Sequence, residues 1–279
     1  MNKHESKRGG IGLKRLVVSV CRIMVFVYLG TVLYSCLVSE TMIFQPQPSS
    51  YQDSDQIIKL DSGNGEAVSA IYLRNPNAFY TILYSHGNAE DIGHLLPMLE
   101  EIKGMGFSLF AYDYRGYGTS LGTPSEKKVY EDEETAYDYL VNNLGIPACR
   151  IIALGRSLGG AVAIDLAHKR QLGGLIIESS FVTAYRVLTR IPLLPFDKFK
   201  NISKMKKVRC PVLVIHGKQD EVVPFWHGER LFEEANEPRL SFWVEGAGHN
   251  NLFEAAGSDY RKVLRDFVTI VEKGSKNMP

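Results

Sequence analysis

From residue 79 onward the chain returns repeatedly to a short, unbroken apolar run. FYTILYS (79–85), FSLFAY (107–112), RIIALG (150–155), GLIIES (174–179), PVLVIHG (211–217) and RLSFWVEG (239–246) follow one another at intervals long enough for a helix between most of them. A run that is continuously apolar, rather than alternating, suits a strand covered on both faces, as in a parallel sheet. The intervening segments carry helical spacing. Thr123-Pro124-Ser125-Glu126 reads as a capping-box start with proline in the first turn, after which Val129, Ala136, Tyr137, Leu140 and Leu144 keep one face apolar. Strands and helices in this alternation specify an α/β layered domain. IIKL (57–60) and VSAIYL (68–73), joined through DSGNGE, read as a hairpin opening the sheet. The expected architecture is a mostly parallel sheet of about eight strands flanked by helices, over residues 57–274.

Composition narrows the partners. Lysine and arginine number 32 against 31 acidic residues, a net charge of +1, and no basic run is interleaved with aromatics. A nucleic-acid partner is therefore not expected. The cysteines, Cys21, Cys36, Cys149 and Cys210, have neither zinc nor redox spacing. Cys149 and Cys210 each precede an apolar run, and those two runs are not expected to be neighbours in the sheet. Two strand spacings are about 10 Å, too far for a disulfide, so both read as buried thiols.

The N-terminus has its own chemistry. Lys3, Arg8, Lys14 and Arg15 precede LVVSVCRIMVFVYLGTVLYSCLVS, and no charge occurs from Ile23 to Val38. With Arg22 reaching towards headgroups, this is long enough for a bilayer, which needs roughly 20 residues. Three readings stay open: an uncleaved anchor, a lipoprotein signal ending at Leu33-Tyr34-Ser35-Cys36, and a cleaved signal peptide. In each, the basic flank stays cytoplasmic and the rest of the chain lies on the far side. Residues 1–40 are thus expected to be a basic tail with an anchor or signal, and 41–56, TMIFQPQPSSYQDSDQ, a polar linker.

One segment breaks the alternation. Residues 180–207 include VLTRIPLLPFDKF (187–199), whose two prolines exclude a long helix. Leu193, Leu194 and Phe196 either line a small cap over a site and contact substrate, or belong to a satellite segment packed on the sheet. Asn201-Ile202-Ser203 within it is a glycosylation sequon, meaningful only in a eukaryotic lumen.

ALGRSLGGA (153–161) carries the most specific chemistry. Ser157 follows the run RIIALG and precedes the helical AVAIDLA, the strand–turn–helix setting in which Gly-x-Ser-x-Gly holds a nucleophile. Gly155 and Gly159 leave no side chain to clash at a sharp turn, while Gly160, Ala161 and Ala163 let the helix approach the sheet. That helix's first N–H groups face a developing oxyanion. A nucleophilic serine needs a base, and the base needs an orienting carboxylate, here in the chain order serine, acid, histidine. Asp220 follows PVLVIHG, and His249 follows RLSFWVEG in Gly246-Ala247-Gly248-His249.

Rival residues fit less well. His227 lies in a helical pattern, Glu178 ends its own strand, Glu221 adjoins the preferred acid, and Asp113 comes too early and reads as a turn residue. His86 and His216, each before a glycine at a strand end, read as structural histidines. The second oxyanion donor is expected in Ser85-His86-Gly87-Asn88-Ala89-Glu90. The backbone N–H groups of Leu158 and Asn88 form the candidate pair, with Ala89 as the substitute for Asn88.

YSHGNAEDIG, AYDYRGYGTSLGTPSE, LGRSLGG, VLVIHGKQDEVVPFWHG and VEGAGHNNL together resemble the α/β-hydrolase superfamily. More narrowly, they are similar to the Bem-type serine hydrolases and the related protein depalmitoylases, in register over residues 42–270. The resemblance implies an α/β-hydrolase fold with Ser157, Asp220 and His249 catalytic. It further implies hydrolysis of esters or thioesters, including acylated lipids or acyl-proteins, with no metal or organic cofactor. Bem-type members commonly carry an N-terminal membrane anchor. The depalmitoylases use a cysteine-rich lipidated N-terminus, and this chain departs from that pattern, having only Cys21 and Cys36 within its apolar stretch. Two other expectations stand beside the esterase: a catalytically inert, membrane-tethered binding protein, and a peptidase on the same fold. Dehalogenase chemistry usually has aspartate at the position of Ser157.

Overall fold

The computed structural model describes residues 5–63 and 65–275, with side chains from Lys14 to Gly274. Lys3 and the side chain of Arg8 in the basic flank, and Asn64 in the hairpin turn, lie outside the described residues. The chain divides into two units, residues 1–43 and 44–279. The described residues of the first form a single helix, α1 (Glu5–Ile43), which ends three residues beyond the anchor expected to end at 40. Its stretch Lys14–Ile43, 30 residues, is long and apolar enough to cross a membrane.

The second unit is built on one eight-stranded sheet in the order β1-β2-β4-β3-β5-β6-β7-β8. β1 (Ile57–Asp61) and β2 (Ala67–Leu73) form the antiparallel hairpin expected from the two runs joined through DSGNGE. β3 (Thr81–Ser85) then leads through α2 (Ile92–Gly104) to β4 (Ser108–Tyr112), which is antiparallel to β2 and parallel to β3. α3 (Glu126–Asp138) crosses back to β5 (Ile151–Arg156), and α4 (Leu158–Lys169) leads on to β6 (Gly174–Glu178). After α5 (Asn201–Met205) come β7 (Val212–Gly217), α6 (Trp226–Glu234) and β8 (Arg239–Val244). α7 (Leu252–Ala256) and α8 (Ser258–Ser275) close the unit. Every residue of β3, β4, β6 and β7 is buried, as continuous apolar runs require of strands covered on both faces.

The topology fixes where a site can form. β3 is the central switch point, flanked by β4 on one side and β5 on the other, and sheets of this kind bind ligands beyond the carboxyl ends of the strands at that point, here β3 and β5. α4 lies flat on the sheet with all of Leu158–Ala167 buried. It approaches closely because small residues face the sheet: a methyl at Gly160 would sit 2.6 Å from the Ser180 side chain.

Several expectations need correction. Residues 44–52 do not behave as a free linker. The Phe44 ring is buried and packs on Phe199, the Ser50 N–H and hydroxyl both donate to the Asp91 carboxylate, and the Tyr51 hydroxyl donates to Asp113 at 2.6 Å. A buried ring and two carboxylates that require donors draw this strap onto the domain. α3 is capped by Ser125, whose hydroxyl accepts the Lys128 N–H, so the start lies two residues beyond Thr123 and Pro124 precedes the cap. Cys149 is exposed, because it sits in the short turn Ala148–Arg150 ahead of β5; Cys210 is the buried thiol, pushed up to about 12 by desolvation. The sequon asparagine, Asn201, is fully buried with its Nδ2 donating to the Phe181 carbonyl at 2.8 Å, which removes it from the reach of a glycosylating enzyme in the folded chain.

The proline-rich segment contains no long helix, as its sequence requires: a single 3-10 turn, Tyr185–Val187, precedes irregular chain up to α5. Leu188, Ile191 and Leu193 are exposed there. Leu194 and Phe196 are half-buried, and Phe196 packs edge-on against Tyr185.

Candidate active site

Ser157 sits between β5 and α4 with φ 53° and ψ −113°, backbone angles that non-glycine residues rarely adopt. The surroundings over-determine that strain. The Ser157 N–H donates to the Glu178 carbonyl at 2.8 Å, and the Ser180 hydroxyl donates to the Ser157 carbonyl at 3.0 Å. A methyl at Gly155 would meet the Gly159 carbonyl oxygen at 2.1 Å, and one at Gly159 would meet that of Ser85 at 1.9 Å. The motif glycines are therefore a steric requirement of the turn.

The other two predicted residues meet Ser157 from separate loops. Asp220 follows β7 and His249 follows β8, and these strands pair in parallel up to Gly217 and Val244. The Lys218 N–H on the Val244 carbonyl and the Gln219 N–H on the Ala247 carbonyl zip the two loops together. His249 Nε2 lies 3.1 Å from Ser157 Oγ, and His249 Nδ1 lies 2.8 Å from Asp220 Oδ2. Asp220 Oδ1 accepts the N–H groups of Val222 and Val223 at 3.0 and 2.7 Å. Burial alone would raise the Asp220 pKa. Hydrogen bonds from His216 and His249, together with the Val223 N–H, outweigh it and hold the carboxyl well below the usual carboxylate range.

The rivals are engaged in other contacts, two of them beside the site itself. His227 is buried in α6, its Nδ1 accepting the Val182 N–H at 3.2 Å; desolvation, then the nearby His216, pushes its pKa down to about 4. Glu178 is buried and accepts the Tyr260 hydroxyl, with its pKa raised by burial. Glu221 accepts the backbone N–H of His249, at 3.3 Å. Asp113 holds its turn by accepting the Ile92 N–H and the Tyr51 hydroxyl, and burial pushes it up to about 7. His86 turns its Nδ1 to the Gly87 carbonyl at 2.7 Å. His216 is more than a packing residue: its Nε2 lies 2.9 Å from the Val223 carbonyl and 3.3 Å from Asp220 Oδ2, the oxygen that also meets His249.

Of the two candidate oxyanion donors, Leu158 directly follows the serine. Leu158 opens α4, so its N–H belongs to the first turn, whose donors have no intrahelical acceptor. Asn88 lies three residues beyond Ser85, which ends β3 and pairs with Gly155 two residues before the serine. Its side chain is occupied in shaping the loop: Asn88 Oδ1 accepts from the Tyr117 hydroxyl at 2.6 Å, the Gln45 N–H at 3.0 Å and the Ala89 N–H at 3.1 Å.

Sequence reasoning passed over Arg156 and Glu90. Arg156 Nη1 forms an ion pair with Glu90 Oε1, while Nη2 donates to the His249 carbonyl at 2.9 Å and to Asn250 Oδ1 at 3.0 Å. Glu90 Oε2 accepts the Gly87 N–H at 2.8 Å. Both residues stand inside motifs already singled out, but only the tertiary fold reveals their reach.

Comparison with known proteins agrees with this architecture. The family model described as serine aminopeptidase, S33, matches residues 76–201. Alpha/beta hydrolase domain-containing protein 17B of Xenopus tropicalis is 38% identical over 225 residues, covering 79% of this chain and 77% of its own. The protein of the same name from Homo sapiens is 37% identical over the same length and coverage. The Pyrococcus furiosus esterase Pf2001 superposes with a TM-score of 0.67 at 18% identity, covering 81% of this chain and 98% of its own. With two relatives this similar over most of their length, the chain belongs to the α/β-hydrolase superfamily of serine hydrolases, in the family of the α/β-hydrolase domain-containing 17B proteins.

Proposed function

We propose that the protein hydrolyses carboxylic esters or thioesters through an acyl-enzyme on Ser157. The observation that carries this reading is the continuous chain of contacts from Ser157 Oγ through the His249 ring to the Asp220 carboxylate. His249 Nε2 takes the Ser157 proton as Oγ attacks the acyl carbon, and Asp220 holds Nδ1–H and stabilises the imidazolium. The backbone N–H groups of Leu158 and Asn88 receive the oxyanion. As the tetrahedral intermediate collapses, the alcohol or thiol leaves with the proton from His249. Water then adds to the acyl-enzyme, giving its proton to His249, and the acid is released as Ser157 recovers that proton.

The finer reading assigns residues 180–207 to a cap, with Leu193, Leu194 and Phe196 contacting an acyl chain of a lipid or an acylated protein. Their apolar character and incomplete burial support it. α1 anchors the protein in a membrane with its basic flank cytoplasmic and the hydrolase domain on the far side. The matching family model bears the name of an aminopeptidase but spans residues 76–201, a stretch with Ser157 and without Asp220 or His249, so the name lends this chain no peptidase activity.

The test is labelling of the intact protein with a fluorophosphonate, followed by identification of the modified peptide. An adduct on Ser157, lost in Ser157→Ala, is expected; its absence would leave a membrane-tethered binding protein. Turnover of p-nitrophenyl esters and acyl-thioesters of increasing chain length should fall about 10⁶-fold in Ser157→Ala and about 10⁴-fold in Asp220→Asn. Faster cleavage of peptide anilides than of any ester would replace the esterase with the peptidase.

A further inference from the structure

We propose that Arg156 and Glu90 are a positioning pair that sets the His249 loop and the Gly87–Asn88 loop against the Ser157 turn. The inference rests on the reading of Ser157 as nucleophile and His249 as its base. Arg156 is the last residue of β5, and the backbone that follows it is pinned by the Ser157 N–H on the Glu178 carbonyl. Its guanidinium therefore projects from a rigid point at the carboxyl edge of the sheet. From there it touches two loops that no local sequence connects to β5: Glu90 after β3, and His249 with Asn250 after β8.

The contacts are specific in kind. One nitrogen, Nη1, takes the carboxylate, and the other, Nη2, divides its hydrogens between the His249 carbonyl and Asn250 Oδ1. The pair is largely sheltered, at 14% and 22% side-chain exposure, so solvent screens it less than a surface ion pair. Glu90 passes the constraint on through Oε2 to the Gly87 N–H, next to the candidate oxyanion donor. A planar fork with several donors can hold these acceptors at once, whereas a lysine ammonium is a point charge on a flexible stem. Neither side chain touches the reacting atoms. Both act through the placement of His249 and Asn88, where a misplacement of about 1 Å is enough to lower turnover about a hundredfold.

The experiment compares the full-length wild type with Arg156→Gln, Arg156→Lys, Glu90→Gln and the double variant Arg156→Gln/Glu90→Gln. For each, kcat and KM on a soluble p-nitrophenyl ester, the second-order rate of fluorophosphonate inactivation, and Tm are measured. Arg156→Gln is expected to lower kcat about a hundredfold with KM within about twofold, and to slow inactivation in parallel. Arg156→Lys should recover about tenfold of that loss, and the double variant should fall no further than the worse single one.

Four results would overturn the pair: kcat per folded molecule unchanged in Arg156→Gln, a loss carried by KM alone, Arg156→Lys no better than Arg156→Gln, or additive single losses. Should Arg156→Gln fail to fold, Arg156→Lys and Glu90→Gln carry the same comparison. Wild type that takes no label on Ser157 would overturn the catalytic reading itself. Labelled wild type beside an indifferent Arg156→Gln would overturn only the positioning pair.

Discussion

At Gly159 a side chain of any size collides with backbone, because the Ser85 and His86 carbonyls lie under the first turn of α4. Backbone cannot swing aside as a flexible side chain can, so Gly159→Ala should cost about 3 kcal/mol or more. Urea unfolding followed by circular dichroism checks this; a loss under about 1 kcal/mol would show that α4 can lift away from the sheet. His227 supports a pH prediction. Its folded pKa is about 4, below the ordinary value of 6.5, since burial and His216 disfavour the imidazolium. The unfolded chain therefore takes up this proton first. The stability tied to neutral His227 is present in full above pH 6.5 and is lost as the pH falls towards 4, by about 3 kcal/mol across the interval. Asp113, with its pKa pushed up to about 7, acts with the opposite sign over part of that range. The measurement is therefore the difference in unfolding free energy between wild type and His227→Gln. Wild type should lose ground against the variant between pH 6.5 and pH 4, and a flat difference would sink the assignment.

At the level of elements, α3 is bound to the loop after β4 through one nearly buried arginine. Arg115 Nε donates to Asp132 Oδ1 at 2.6 Å and its backbone N–H to Oδ2 at 2.9 Å, with Glu66 and Glu131 on the remaining nitrogens. Removing the carboxylate strands a buried charge, so Asp132→Ala should cost about 3–5 kcal/mol by chemical unfolding, against about 1 kcal/mol for Ser125→Ala at the cap of the same helix. A smaller loss for Asp132→Ala than for Ser125→Ala would mean that Glu66 and Glu131 alone satisfy Arg115. Elements of this kind were unevenly legible. The core strands announced themselves because a strand covered on both faces is apolar at most positions, with polar residues such as Ser85, Glu178 and His216 kept to its ends. The meeting of Ser157, Asp220 and His249 was legible because strand ends and chain order restrict which side chains can converge there. Arg156 was not, since a single arginine reads as a solvated charge until the fold brings Glu90 and His249 within its reach. The strap 44–52 was hidden for a similar reason: proline and serine content describes a loop without saying which carboxylates lie beneath it.

On the scale of the whole molecule, that strap joins the apolar helix to the loop that bears Asn88. Immediately after α1, the Gln45 N–H donates to Asn88 Oδ1 and contacts the Tyr117 hydroxyl at 3.2 Å, and the strap continues to Asp91 at the head of α2 and Asp113 after β4. The division between functional units therefore belongs at Phe44, and two truncations separate the possibilities. A chain beginning at Phe44 keeps every one of these contacts. It should stay in the aqueous fraction, whereas the full chain, on the proposed anchoring by α1, should sediment with membranes. It should also hydrolyse a soluble ester at a rate close to that of the full chain. A chain beginning at Ile57 loses the buried Phe44 ring, the donors to Asp91 and Asp113, and the Gln45 contact to Asn88. Burial of one phenylalanine with several hydrogen bonds makes that loss about 3 kcal/mol or more, read from the urea midpoint. Fluorophosphonate labelling should slow in the same chain if the Asn88 N–H has its proposed role, because its loop has lost one of the donors that shape it. Equal stability and equal labelling of the two truncations would reduce the strap to a passive tether.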